Sequence, residues 1–363
     1  MRIIYSKFVI AVFFANFLFA CDHPTNTKVT TAPVEPDSRS ALEICKNPTV
    51  AQKQTLIAMA KSVAEIYDEK QCDYLFIKFD RAEKLIVSNH ENISDLSPLK
   101  ALSNLKVFFI DTSHDLDLTP LENLTTLESL SILIYRRDSL ETRKKLSGLS
   151  TVSKLTSLTD LEIINAGVDD IEFIKTLTNL KTLDLTNNML SNIDPISTLM
   201  SLNSLNISRN KIRSLEPISK LYKLESLFII ANHDIADISP LEGLSNLKWL
   251  VVSKSKVSNI LPLQNLTNLE KLELEFNQIQ DITPLAKLHK LKRLSLLSNN
   301  IDSIKPLKNL KSLENLTIGS NKITDTSYLS GLDNLTRLYA DENPLKDCAP
   351  RYHSEIKTKS CLH

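Results

Sequence analysis

Over 363 residues, 43 basic side chains balance 43 acidic ones, and 42% of the residues are hydrophobic. That neutrality removes the pull that nucleic acid or an anionic bilayer exerts on a basic protein, so nucleic acid is not expected as a partner. Five glycines are too few for Gly-rich phosphate loops, and no apolar run after residue 20 is long enough to span a bilayer.

The chain opens with a targeting pattern. Arg2 and Lys7 make a basic start, Phe8 to Phe19 is an apolar run too short for a stable span, and the small Ala20 precedes Cys21. Leu18-Phe19-Ala20-Cys21 resembles the lipobox of bacterial lipoproteins. The resemblance implies that Cys21 receives a diacylglyceryl group, that residues 1–20 are cleaved as a signal peptide, and that the new amine is acylated. Several acyl chains anchor a protein stably where one does not. Asp22 resembles the signal that retains such proteins at the inner membrane in enteric-type bacteria. The periplasmic face of that membrane is therefore the expected location, with the outer membrane or the cell surface as the alternative. Residues 21–40 are polar, rich in Thr and Pro, and without periodicity, which suits a flexible tether.

Residues 41–79 read as a small helical cap. Thr49 can cap a helix that starts at Val50. Leu56, Ala60, Val63 and Tyr67 recur at helical spacing, which predicts an amphipathic helix over 50–68.

From residue 80 to 347 the chain repeats itself. LTNLKTLDLTNNMLSNIDPIST from Leu177 and LTNLEKLELEFNQIQDITPLAK from Leu266 share the frame LxxLxxLxLxxNxIxxIxPLxx. Its asparagine returns at Asn188, Asn210, Asn232, Asn277, Asn299, Asn321 and Asn343, with Ser255 and Ala166 in its place in two units. The step is 22 residues, apart from an insertion near His233 and a longer one around residues 136–153; about eleven or twelve units result.

Leu183 and Leu185 alternate with Thr182, Asp184 and Thr186, as on a strand with one buried face. Twenty-two residues cannot hold a strand, two turns and a full helix. The return leg is therefore expected to be 3-10 or extended, around a proline that fixes φ. Each unit becomes one coil of a right-handed solenoid whose strands pair in parallel. The frame resembles bacterial leucine-rich repeats of the internalin type. That resemblance implies an α/β repeat superhelix with its sheet on the concave face, and a protein that binds other proteins there without catalysis. Internalins use this face for host surface receptors. The lipobox and the lack of an LPxTG sequence set this chain apart from the cell-wall-anchored members.

An array buries its core only with neighbours and needs capped ends. Beside Cys21, four cysteines remain, Cys45, Cys72, Cys348 and Cys361, with three possible pairings. If the ends of the array lie far apart, only Cys45–Cys72 and Cys348–Cys361 can form. Export makes disulfides plausible, whereas a zinc site lacks CxxC spacing or a nearby His pair. Residues 348–363 would then be a C-terminal cap.

No catalytic constellation emerges: no HExxH, no GxSxG, and no metal-spaced histidines, so no cofactor or metal is expected. An enzyme is the weakest alternative. Most outward positions are small or polar, but three neighbouring units break that rule. Phe228 and Ile230, then Trp249 and Val251, then Phe276 are expected to form one exposed apolar patch, with Lys271, Glu273, Glu275 and Arg293 beside it. Phe109, Leu133 and Ile134 form a second, smaller candidate. The expected partner is an unidentified protein, the expected anchor a lipid, and the expected state a monomer.

Overall fold

The computed structural model describes residues 39–87, 93–135 and 146–346. Cys21, Cys348, Cys361 and the proposed signal, most of the tether and the C-terminal cap lie outside them. Among the described residues, twelve strands form one parallel sheet in strict chain order: β1 (Lys84–Val87), β2 (Val107–Thr112), β3 (Ser129–Ile134), β4 (Asp160–Ile164), β5 (Thr182–Asp184), β6 (Ser204–Asn206), β7 (Ser226–Ile230), β8 (Trp249–Ser253), β9 (Lys271–Glu273), β10 (Arg293–Ser295), β11 (Asn315–Thr317) and β12 (Arg337–Tyr339). Between consecutive strands the chain returns through a 3-10 turn, most of them with Pro in the first two positions. Each return leg closes one right-handed coil, so the sheet never closes on itself and lines the inner curve of a solenoid.

The leucine frame explains the register. Leu183 pairs with Leu205, Leu205 with Leu227, Leu227 with Leu250 and Leu250 with Leu272. All point inward and are fully buried, as are Leu294, Leu316 and Leu338 further along. A second column runs Leu185, Ile207, Ile229, Val252, Leu274, Leu296 and Ile318. Each such side chain contributes roughly 1.5–3 kcal/mol on burial. Both insertions leave the strands in register. Leu130 still pairs with Leu161, and Leu227 with Leu250. The long insertion has rejoined the coil by Ser147, which bridges to Asp117. Gly148 follows at φ 69°, where a Cβ would lie 2.7 Å from the Thr119 amide.

Where the strand ends, the asparagine ladder takes over. Asn299 Nδ2 donates to the Leu274 carbonyl of the previous coil and to the Leu296 carbonyl of its own, while its Oδ1 accepts from the Ile279 amide. Asn188, Asn210, Asn277, Asn321 and Asn343 repeat this pattern. The residue before each asparagine has φ between 52° and 59°, from Asn187 to Glu342. That left-handed turn holds an ordinary side chain in a region such side chains avoid. Its amide extends the ladder, as Phe276 does to the Leu297 carbonyl. At Ser255 the amide is missing. The extra residue near His233 lets the Ile235 amide bond to the Asn232 carbonyl instead, and Ser255 Oγ donates to that same carbonyl.

The cap differs in detail from the single helix read over 50–68. It comprises α1 (Ala41–Lys46), α2 (Val50–Ser62) and α3 (Cys72–Phe79). Thr49 caps α2, and Gln52 completes a capping box. The helix stops at Ser62 because Val63 already leaves helical geometry and Ala64 turns to φ 60°. Tyr67 lies beyond it and donates its hydroxyl to the Cys45 carbonyl. Leu56, Met59, Leu75 and Phe79 join the same core as Leu85 and Leu105. The Cys45–Cys72 disulfide ties α1 to the start of α3.

Replacing Asn299 with Leu leaves the Ile279 amide without a partner, at about 1–3 kcal/mol, and removes one of two bonds, about 1 kcal/mol each, from the Leu274 and Leu296 carbonyls, which keep Asn277 and Asn321. Urea unfolding of Asn299→Leu should show a loss of about 3 kcal/mol; a loss under about 1 kcal/mol would mean the ladder is dispensable.

Candidate functional site

Along each strand, alternate side chains leave the core for the open concave face. The face is thus a lattice, with about 4.8 Å between strands and about 6.8 Å between successive outward positions on one strand. One row, at the strand starts, carries Ser226, Trp249, Lys271, Arg293, Asn315 and Arg337 on β7 to β12. The next row carries Asn206, Phe228, Val251, Glu273, Ser295, Thr317 and Tyr339.

The expected patch does assemble, though not as an open apolar surface. Phe228 and Trp249 meet edge to face, with ring centroids 4.8 Å apart, a geometry that the ring quadrupoles favour. Lys271 Nζ lies 4.2 Å from the Trp249 ring centroid, close enough for a cation–π contact. The indole is therefore half-buried between an aromatic edge and a cation, and its Nε1 is buried without a hydrogen-bond partner. Val251 does not take part: it is 2% exposed, hidden between Phe228 and Glu273 in the same row. Ile230 is half-buried. Phe276 is 44% exposed, but at the left-handed turn on the sheet's edge, with Lys254 Nζ 5.6 Å from its ring centroid. Of the second candidate, Phe109 and Leu133 stay on the face, while Ile134 turns into the core at 1% exposure. It is the last residue of its strand and falls on the inward side of an unbroken alternation with Leu130 and Ile132.

The charged neighbours fall into two lanes. Lys271, Arg293 and Arg337 share the strand-start row, whereas Glu273 and Glu275 lie further along β9 and past its end. Glu275 accepts from Ser295 Oγ at 2.7 Å. Burial raises the Glu273 carboxyl above the usual range and Glu275 adds to this, with Lys271 and Arg293 opposing.

A polar row in the first half of the sheet was not singled out from the residues alone. Ser131, Glu162, Asp184 and Asn206 stand side by side on β3 to β6. Ser131 Oγ donates to Glu162 at 2.6 Å, and Asn206 Nδ2 donates to Asp184 at 3.0 Å. Burial pushes the Asp184 carboxyl up to about 6; bonds from Thr186 and Asn206 oppose the rise, and Glu162 adds to it. The signal was the 22-residue spacing of Glu162, Asp184 and Asn206 at one frame position. Among the described residues, no cluster of His, Cys, Asp and Glu could hold a metal ion.

A family model described as leucine-rich repeats, in two copies, matches residues 267–309. No curated protein matches the chain. Among solved structures, the chain is similar to an internalin from Listeria monocytogenes, at 28% identity and TM-score 0.70, covering 84% of this chain and 85% of that one. Internalin C2 of the same species is 34% identical over 54% of this chain and 83% of its own, at TM-score 0.47. A leucine-rich-repeat protein from Leptospira interrogans is 23% identical, at TM-score 0.57, over 70% and 71% of the two chains. The chain is a leucine-rich-repeat protein. Its repeats are of the internalin type, and it is a bacterial internalin-like member of that class.

The raised Asp184 pKa carries a pH signature. A carboxyl that rises from 3.8 to about 6 on folding favours the folded state fully below about pH 4 and loses that contribution as pH rises through about 6. Asp184→Asn removes this term. From pH 7 to 4.5, the urea-derived stability of the wild type should gain on the variant by about 2 kcal/mol. A difference constant across that range would return Asp184 to ordinary titration.

Proposed function

We propose that the chain is an envelope protein, held at a membrane by lipid on Cys21, whose concave sheet recognises another protein and catalyses no reaction. The observation that carries the recognition half is the Phe228–Trp249–Lys271 cluster on the open face. Trp in a well-packed, partly desolvated setting is among the usual anchors of protein interfaces. Twelve paired strands present this face without rearrangement, which lowers the ordering cost of association. The lipid half rests on the lipobox resemblance at Leu18–Cys21. In this reading the protein works as a monomer on its tether, Cys348 and Cys361 close the far end, and Asp22 favours the periplasmic face of the inner membrane.

The likeness to a Listeria internalin over most of both chains favours a second reading, an adhesin displayed outside the cell that binds a host protein or glycan. Protease treatment of intact cells separates the two. Cleavage supports display, and protection supports a periplasmic position.

Crosslinking in native membranes followed by affinity capture identifies the partner. Trp249→Ala should then weaken its binding at least tenfold, about 1.4 kcal/mol, while the Tm falls by no more than a few degrees. Unaltered affinity would remove the cluster from the interface. Cys21→Ala should shift the protein from the membrane to the soluble fraction; a variant that stays membrane-bound would refute the anchor.

A further inference from the structure

The strand-start row of the second half of the sheet has a chemistry of its own. Trp249, Lys271, Arg293, Asn315 and Arg337 occupy it on five consecutive strands, a span of roughly 19 Å. Three of the five are cations. Arg293 and Arg337 are exposed, and neither forms an ion pair or a side-chain hydrogen bond among the described residues. Lys271, half-buried, is held with its Nζ 4.2 Å from the Trp249 ring centroid. Trp249 Nε1 is a buried donor that has found no acceptor. With Trp249 Nε1 out of reach, the row offers the guanidinium donors of Arg293 and Arg337 and positive charge, with no carboxylate in it.

The neighbouring positions have the opposite sign. Glu273 follows Lys271 two residues along β9, Glu275 follows two further on, and Asp341 lies two residues beyond Tyr339, near the end of the array. A uniformly anionic ligand, such as a sulfated polysaccharide or a phospholipid surface, would be drawn to one lane and repelled by the next, about 7 Å away. A peptide segment can put carboxylates on one side only. In an extended chain, alternate side chains point to the same side at intervals of about 6.8 Å, so about six residues match the length of the basic row.

Resting on the recognition reading above, we propose that this row is the docking lane for an extended, acidic peptide segment of the partner. The segment crosses strands β8 to β12 with its carboxylates on Lys271, Arg293 and Arg337. Arginine is suited to this role, because its planar fork takes a carboxylate through two parallel hydrogen bonds. The acidic lane of Glu273 and Glu275 fixes the segment's position, since a carboxylate shifted onto it meets like charge. Specificity therefore comes from repulsion as well as attraction.

The test uses a random twelve-residue peptide display library selected against the immobilised full-length chain, its Arg293→Glu/Arg337→Glu variant and its Trp249→Ala variant. Against wild type, enriched peptides should hold at least twice the Asp and Glu content of the starting library. Against the charge-reversed variant that excess should vanish, and Lys and Arg should rise in its place. An Arg293→Gln/Arg337→Gln variant, in which no new charge is added, should lose the acidic excess as well. Heparin, as the probe for a polyanionic ligand, should not be retained by wild type. Enriched peptides that depend on Trp249 but carry no acidic excess would overturn the lane and leave the recognition reading standing. Heparin retention that is lost on charge reversal would overturn it in favour of a glycan. Absence of any enrichment on wild type would overturn both.

Discussion

The solenoid depends on one constraint: every backbone amide and carbonyl that leaves the sheet at a strand end must find a partner inside the coil. An unmet buried group costs about 1–3 kcal/mol, and the array makes that turn again and again. A side-chain amide meets the constraint because it donates twice and accepts once from a single short stem. Asn299 spends its protons on the carbonyls of two coils and its oxygen on the Ile279 amide. The bond network therefore runs across coils, and leucine burial and polar satisfaction reinforce each other along the array. The left-handed turn before each asparagine is the backbone shape that aims this amide inward, which is why residues as different as Arg209, Phe276 and Glu342 adopt it.

Much of this was readable beforehand, for a physical reason. A unit that recurs many times states its buried positions many times, so chance is averaged away. The Leu183, Leu205 and Leu227 column, the asparagine positions and the short return legs all followed from the frame. The Cys45–Cys72 bond followed from the separation of the array's two ends. Where repetition stops, so does legibility. The cap occurs once, and the apolar spacing of Val63 and Tyr67 continued past the point where the backbone leaves the helix.

The candidate site shows a different limit. Adjacency was readable, since residues one unit apart must stand side by side; Trp249 beside Phe228 and Lys271 is the result. Depth was not. On an inward-curving face, neighbours lean over one another, so Val251 at 2% exposure is covered by side chains that a flat lattice would keep apart. The same crowding desolvates Asp184 and Glu273 and raises both carboxyls. Charge on this surface is therefore costly, and the residues that bear it stand out against the serines and threonines around them.

The two irregular coils carry a consequence for how such a molecule can change over time. Nine additional residues between β3 and β4, and one between β7 and β8, leave Leu130 opposite Leu161 and Leu227 opposite Leu250. Both gains in length fall between strands along the chain and leave the pairing itself unchanged. The outward face of the sheet is thereby insulated from changes in loop size. A connection can lengthen while the outward side chains of the sheet keep their mutual spacing to within the pitch of a strand.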